Sequence, residues 1–320
     1  MTRALILSED GWRDRRFAQL VALYHRCGCH VDAILRQTDQ VQAMPQGIDR
    51  LGVLPPGVDA GALIQRMHRD MPVNLIHLDR DPAMARTRPG IGGPVIADID
   101  TDAGAWQADW VPTVTLSSSE TIRQTLSLSG HNAVRLPKVF HPKAPWRLPA
   151  ARRIGWYGRW TEDLMARWCT LAHRFAEQSI CPDMTFLLLG PGFLPTRMPR
   201  GLAVARREGA DLSALNALDI AVAPIDSGVG RVGEIYTALE QGCPVLTLAS
   251  TCADFEDRWH LPSAESLDEL VHLIDRSLTR PGEARNTGLD DPMQQTCAAL
   301  RRDQQAMERH FAETIHRMLG

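Results

Sequence analysis

The chain carries little that would tie it to a special environment. No stretch approaches the ~20 consecutive apolar residues that a membrane-spanning helix needs, so no spanning segment is expected. Its seven cysteines, at positions 27, 29, 169, 181, 243, 252 and 297, follow no paired spacing. An odd, unpatterned set argues against a disulfide framework and for a reducing compartment. Charge of one sign is lacking too: 35 Lys and Arg stand against 38 Asp and Glu, and the net charge of −3 lacks the basic excess of a general nucleic-acid binder. Cys27-Gly28-Cys29-His30 begins like a zinc site, but no second ligand pair stands at finger spacing, and no metal is expected there. No Ser-His-Asp or Cys-His arrangement can be argued from spacing. The opening MTRALILSEDGWRDRR has a short apolar run followed by acids, which reads as a strand rather than a leader. RDRR and the later RMHRD read as short charge runs on solvated faces. A cytoplasmic protein is expected, with peripheral membrane contact left open.

What is present is alternation. The 320 residues are enough for two domains of roughly 150 residues each. RALIL is followed by an amphipathic stretch from Asp14 to Cys27, and HVDAIL, DRLGVL, VNLIHLD, GPVIADID and TVTLS read as further strands, the last leading into the helix of SSETIRQTLSLSG. Alternating βα units of this kind imply a parallel sheet covered on both faces. Around residues 137–152 the texture changes to PKVFHPKAPWRLPAARR, with four prolines and no periodicity. The pattern then restarts: RIGWY, MTFLLLG, LAVAR, DIAVAP and CPVLTLA read as strands, and Met165–Gln178, DLSALNAL, Glu234–Gln241 and Ser266–Leu278 as helices. Leu300, Met307, Phe311, Ile315 and Met318 place an apolar stripe on a closing C-terminal helix. The expected division is a first domain over 1–142, a hinge over 143–152, a second domain over 153–298 and the closing helix over 299–320.

Open parallel sheets bind ligands beyond the carboxyl ends of their strands, so two such domains can present both sets of strand ends to one cleft. In the second half those ends are Gly158-Arg159, Gly190-Pro191-Gly192 and the loop PIDSGVGRVGE. That loop holds Gly228-x-Gly230-x-x-Gly233 and opens into a helix, as a dinucleotide fingerprint does. Three features oppose a nicotinamide site: the glycines lie four residues past the strand, the unit is the fifth of its domain, and Asp254 or Glu256, the carboxylates at the right distance, fall in loop sequence. Free amides at a helix start beside Arg231 still suit a phosphate. A Gly-rich surface turn with a solvated arginine is the alternative.

Taken in order, RIGWYGRWTEDLMARWCTLA, MTFLLLGPG, LNALDIAVAPIDSG, ALEQGCPVLTLAS and SLDELVHLIDRSL resemble the nucleotide-binding half of a GT-B-fold glycosyltransferase of the large retaining group, family 4-like. VIADIDTDAG and VTLSSSETIRQTL with AVRLPKVFHP resemble its acceptor domain, so the resemblance covers residues 1 to about 280. It implies an α/β fold of two Rossmann-like domains facing a cleft, with the C-terminal helix crossing back to the first. It implies a sugar transferase with a nucleotide-sugar donor as co-substrate, no other cofactor and no metal, acting on a glycan, lipid-linked or protein acceptor, as in polysaccharide biosynthesis. Retention follows from the same resemblance, with the departing phosphate receiving the acceptor proton.

Position by position, Gly158 and Arg159 match the pair whose arginine grips the donor diphosphate, a role suited to a permanent forked cation. Gly190 and Gly192 match the turn near base and ribose, and Ser227, Gly228 and Gly230, with Arg231 beside them, match the loop approaching sugar and phosphates. Gly242, Pro244 and Val245 match a helix-to-strand turn. Trp156, Tyr157 and Trp160 could flank a base or simply pack. The pattern is also broken. Leu164 and Met165 stand where the family has Lys-Gly, and Val229 and Thr237 where it has two glutamates. Glu234 or Glu240, three residues either way from Thr237, would keep roughly the same helix face. Asp79 stands where a second histidine is usual. The expected catalytic candidates are Asp10, Asp79 and Glu234, with Thr237 among the donor contacts; His77 reads as a buried histidine, and Asp98-x-Asp100-x-Asp102 as a strand end rather than a metal pair. Two other readings stay open: a binding protein on the same fold that recognises a nucleotide or glycan without turnover, and a nucleotide-sugar epimerase.

Overall fold

A computed structural model describes residues 2–8, 15–36, 46–55, 58, 60–79, 91–99, 110–137, 139–142, 153–158, 161–181, 184–190, 192–195, 197–205, 218–225, 232–254, 260–279 and 290–320. The chain divides into two units, Met1–Val139 with Asp303–Gly320, and Phe140–Arg302. The segment 143–152, expected as a hinge, and the helix expected at DLSALNAL lie outside the described residues.

Unit 1 holds β1 (Arg3–Ser8), α1 (Arg15–Arg26), β2 (His30–Arg36), β3 (Arg50–Leu54), α2 (Gly61–Asp70), β4 (Leu75–Asp79), β5 (Val95–Asp98), β6 (Val114–Ser117), α3 (Glu120–Leu128) and β7 (Ala133–Arg135). The strands form one parallel sheet in the order β3-β2-β1-β4-β5-β6-β7. Both faces are covered, which is why β1 and β4 are near-continuous apolar runs rather than alternating ones. On one face Leu5, Leu7, Ile76 and Leu78 pack with Ile64 and Met67 of α2. On the other, Ala4, Ile6 and Leu75 pack with Phe17, Leu20 and Tyr24 of α1, together with Phe311 and Ile315 of α7 (Asp290–Leu319).

Unit 2 restarts the pattern with β8 (Ile154–Tyr157), α4 (Glu162–Gln178), β9 (Phe186–Leu189), β10 (Leu202–Ala205), β11 (Ile220–Ala223), α5 (Val232–Glu240), β12 (Val245–Leu248), β13 (Ser263–Ala264) and α6 (Leu267–Thr279). Its sheet is parallel, in the order β10-β9-β8-β11-β12-β13. The strand order thus runs outward in opposite directions from β8 and β11, the topological switch point of such a sheet. Trp156, Trp168, Phe175 and Phe186 fill the core with Ile220, Val222 and Leu246. Trp156 is therefore a packing residue, and half-buried Tyr157 packs on the same core. The first part of α7 gives Met293, Cys297 and Leu300 to this core. No described helix is long and apolar enough to cross a membrane.

Two polar features of unit 1 depart from a plain apolar sandwich. Arg16, which the run RDRR places on a solvated face, is buried. Its Nε donates to Asp98 Oδ2 at 2.6 Å, and Nη1 donates to the Leu136 carbonyl and to Gln19 Oε1, each at 2.9 Å. The other run fits the expectation: Arg66, Arg69 and Asp70 of α2 are exposed. Removing one partner of a buried pair strands the other charge, so Asp98→Ala is expected to cost about 3–5 kcal/mol of unfolding free energy in urea titrations, against about 1 or less for Arg69→Ala.

His77, expected to be buried, is fully so, and Nδ1 shares a 2.7 Å hydrogen bond with the Tyr24 hydroxyl. Burial first, and the charge of Arg16 second, lower its pKa to about 3. Above pH 6.5 the ring is neutral whether the chain is folded or unfolded. As pH falls from 6.5 towards 3, only the unfolded chain takes the proton, and stability falls by up to about 1.4 kcal/mol per pH unit. Urea midpoints measured at pH 7 and 4.5 are expected to differ more in wild type than in His77→Gln.

Candidate functional site

The strand ends of unit 2 are shaped by two glycines. Tyr157 pairs with Leu189, so β8 and β9 finish level with each other. The chain then turns at Gly158 with φ of 135° and at Gly190 with φ of 136°, a region that favours glycine. Gly158 N–H donates to the Leu189 carbonyl at 3.0 Å, and Gly190 N–H donates to the Ala205 carbonyl at 3.3 Å. A methyl group on Gly190 would lie 2.3 Å from the Gly158 carbonyl oxygen, and one on Gly158 would lie 2.7 Å from Glu234 Cγ. Gly190, Gly158 and Glu234 are thus stacked in that order, with no room for a side chain between them.

Glu234 reaches this place because it sits in the first turn of α5, the helix that follows β11 on the far side of β8. A carboxylate at a helix start is favoured by the helix dipole. Thr237, half-buried, lies one turn further along. Glu240, the other displaced carboxylate expected from the sequence, does not join them. It is fully buried and accepts a hydrogen bond from His141 N–H at 2.8 Å, beside the edge-to-face pair of Phe140 and Tyr236. Its task is to hold the first residues of unit 2. The end of β11 is fixed from β12, where Thr247 Oγ1 donates to the Ala223 carbonyl at 3.0 Å. Gly192, half-buried, follows the Gly190 turn. Leu164 and Met165 are core residues at the start of α4. Arg159, Ser227, Gly228, Gly230 and Arg231 lie outside the described residues.

In unit 1 the strand ends carry side chains instead. Ser8 pairs with Asp79, and Asp79 with Asp98, at the carboxyl ends of β1, β4 and β5. All three are buried, and Ser8 Oγ donates to Asp79 Oδ2 at 2.8 Å. Asp98 is the partner of Arg16, which is what the sequence reading of a strand end left unassigned. Among the described residues no group of three or more His, Cys, Asp or Glu is arranged to hold a metal ion. Cys27 and Cys29 are buried free thiols, and burial pushes the Cys29 thiol up to about 11. His30 Nδ1 lies 2.9 Å from Asp49 Oδ2. Asp10, Asp100 and Asp102 lie outside the described residues.

No protein-family model matches the sequence, and no curated protein does. Solved structures do match along the whole chain. HepE from Anabaena, crystallised in complex with UDP and glucose, is 14% identical with a TM-score of 0.64, covering 99% of this chain and 100% of that one. An Escherichia coli structure described as trehalose-6-phosphate bound with UDP-2-fluoro glucose is 10% identical with a TM-score of 0.66, covering 98% of each chain. A glycosyltransferase from Rickettsia africae is 10% identical with a TM-score of 0.65, covering 99% and 98%. The fold is α/β and of the GT-B kind, as the sequence motifs imply.

The stack of Gly190, Gly158 and Glu234 has a measurable signature. Gly158→Ala is expected to lower stability by about 1–3 kcal/mol through backbone strain and its clash with a side chain. Part of that loss should return in the Gly158→Ala/Glu234→Ala double variant. Gly190→Ala, which meets a backbone oxygen, should gain nothing from Glu234→Ala; thermal unfolding of wild type, the three single variants and the two double variants reads the difference.

Proposed function

We propose that the chain transfers a sugar from a nucleotide-sugar donor to a hydroxyl group of a glycan, lipid-linked or protein acceptor, with retention and without a metal. The observation that carries this reading is the stack of Gly190, Gly158 and Glu234 at the switch point of a GT-B fold. It leaves two strand ends without side chains, their own amides bonded within the sheet, beside the start of a helix, whose first amides suit a phosphate. UDP and UDP-2-fluoro glucose in the structures of HepE and the Escherichia coli protein support the same class of donor.

In this reading Arg159, next to Gly158 in the chain, forks onto the donor diphosphate, and Ser227, Gly228, Gly230 and Arg231 cradle its oxygens. Gly190 and Gly192 give room to ribose and base. Glu234, with Thr237 one turn on, accepts a hydrogen bond from a donor hydroxyl. The acceptor oxygen bonds to the anomeric carbon as the bond from that carbon to the departing phosphate breaks, and a phosphate oxygen takes the acceptor proton. Cations and amides aimed at the leaving group stabilise the charge that develops there. Asp10 is the acceptor-side carboxylate of this reading, and Asp79, buried and accepting from Ser8 Oγ, positions that strand end.

A second reading has its own observation. Leu164 and Met165 are core residues where the resemblance expects Lys-Gly, which suits a protein that binds a nucleotide and does not turn it over. Thermal unfolding with UDP, GDP, ADP, dTDP and CMP, each with its sugar conjugates, tests both. One nucleotide series is expected to raise the midpoint, by about 2.7 kcal/mol at 100 times its dissociation constant, and Arg159→Ala is expected to abolish the shift. A shift with no donor consumption, with or without acceptor, selects a nucleotide-binding protein; no shift with any nucleotide rejects the transferase and leaves a glycan-binding protein on the same fold.

A further inference from the structure

Exposed large hydrophobic groups are few among the described residues of unit 2: Ile180, Phe193 and Leu194. Ile180 follows the C-terminus of α4, at the amino edge of the parallel sheet. Phe193 and Leu194 are at the carboxyl edge, four and five residues past the last residue of β9, and are 44% and 38% exposed. Gly190 is held against the Gly158 carbonyl by the close approach described above, so Phe193 is within about 11 Å of that contact by chain reach alone.

The order of the strands says what would meet this aromatic. In a sheet whose strand order runs outward in opposite directions from β8 and β11, a nucleotide lies across the switch point with its phosphates at the turn after the first strand. Its ribose and base extend over the end of the next strand on that side. Here the first strand is β8, its turn holds Gly158, and the next strand is β9. Phosphates at Gly158 therefore leave the base over the segment that follows Gly190, which holds Phe193. Bases stack on aromatic faces whatever their hydrogen-bonding edges.

We propose that Phe193, flanked by Leu194, is the platform on which the donor's nucleobase stacks. This rests on the donor-site reading of unit 2 and adds a residue that sets affinity for the nucleoside part without selecting among bases. Calorimetric titration of UDP, GDP and pyrophosphate into wild type, Phe193→Ala and Phe193→Trp tests it. The alanine variant is expected to bind the nucleotides about tenfold or more weakly, with pyrophosphate affinity and the ligand-free unfolding midpoint unchanged. The tryptophan variant is expected to restore nucleotide affinity, its indole fluorescence changing on binding. Wild-type nucleotide affinity in Phe193→Ala would overturn the proposal and leave the donor site standing. An equal loss for pyrophosphate would overturn it too, by placing the effect at the phosphates or in the fold. A wild type that binds no nucleotide would remove the donor site itself, and the platform with it.

Discussion

The contact on which unit 2 depends at the carboxyl edge of its sheet is a backbone-to-backbone approach with no side chain in it. Gly190 leaves so little room above the Gly158 carbonyl that a single methyl group would be 2.3 Å from the oxygen. That closeness follows from the sheet: β8 and β9 end at the same level because Tyr157 and Leu189 are paired, so the turns after them meet. Gly158 and Gly190 themselves have no room for a side chain, so at these two positions the edge is bare backbone. Glu234 enters from the other side of β8, on the helix after β11, and closes against Gly158. Strand register, switch point and helix start together fix one small surface.

Unit 1 solves the same edge differently. Its central strands end in Ser8, Asp79 and Asp98, all buried, and the charge of Asp98 is met by Arg16 from α1. The same guanidinium holds the Leu136 carbonyl, where the chain leaves β7. Behind this charged layer lies neutral His77 on Tyr24, kept uncharged chiefly by burial. A buried charge needs a partner and hydrogen bonds on its remaining atoms, so this edge is built from side chains fixed in place. Among the described residues, one unit thus ends its central strands in two bare glycines with Glu234 against them, and the other in a serine and two buried acids.

Much of the fold was legible because parallel strands are covered on both faces and stand out as uninterrupted apolar runs. RALIL, VNLIHLD and DIAVAP are close to this kind, and a charged residue opens or closes each. The turns at Gly158 and Gly190 were legible for the same reason, since a glycine that stops an apolar run has few structural roles. Other features are set by partners far away in the chain. Nothing local distinguishes Arg16 within RDRR, because what buries it is Asp98, 82 residues on. Glu240 looked equivalent to Glu234 by helix spacing alone; burial against His141 N–H separates them. The helix α2 had too few apolar positions, Ile64 and Met67 among its buried residues, to rise above its polar neighbours.

The place of Glu234 follows from helix geometry. Moving a carboxylate from position 237 to 234 turns it by about 60° around the helix axis and brings it about 4.5 Å towards the helix start. At 237 the side chain would stand a full turn above the strand ends. At 234 it stands level with Gly158, in the first turn, where the dipole favours a negative charge and the absence of a Cβ on Gly158 leaves space for the glutamate stem. A glycine at 158 and a glutamate at 234 are therefore one arrangement, each residue explaining the other. Thr237 carries no carboxylate, yet the helix still delivers one to the turn after β8, from one turn closer.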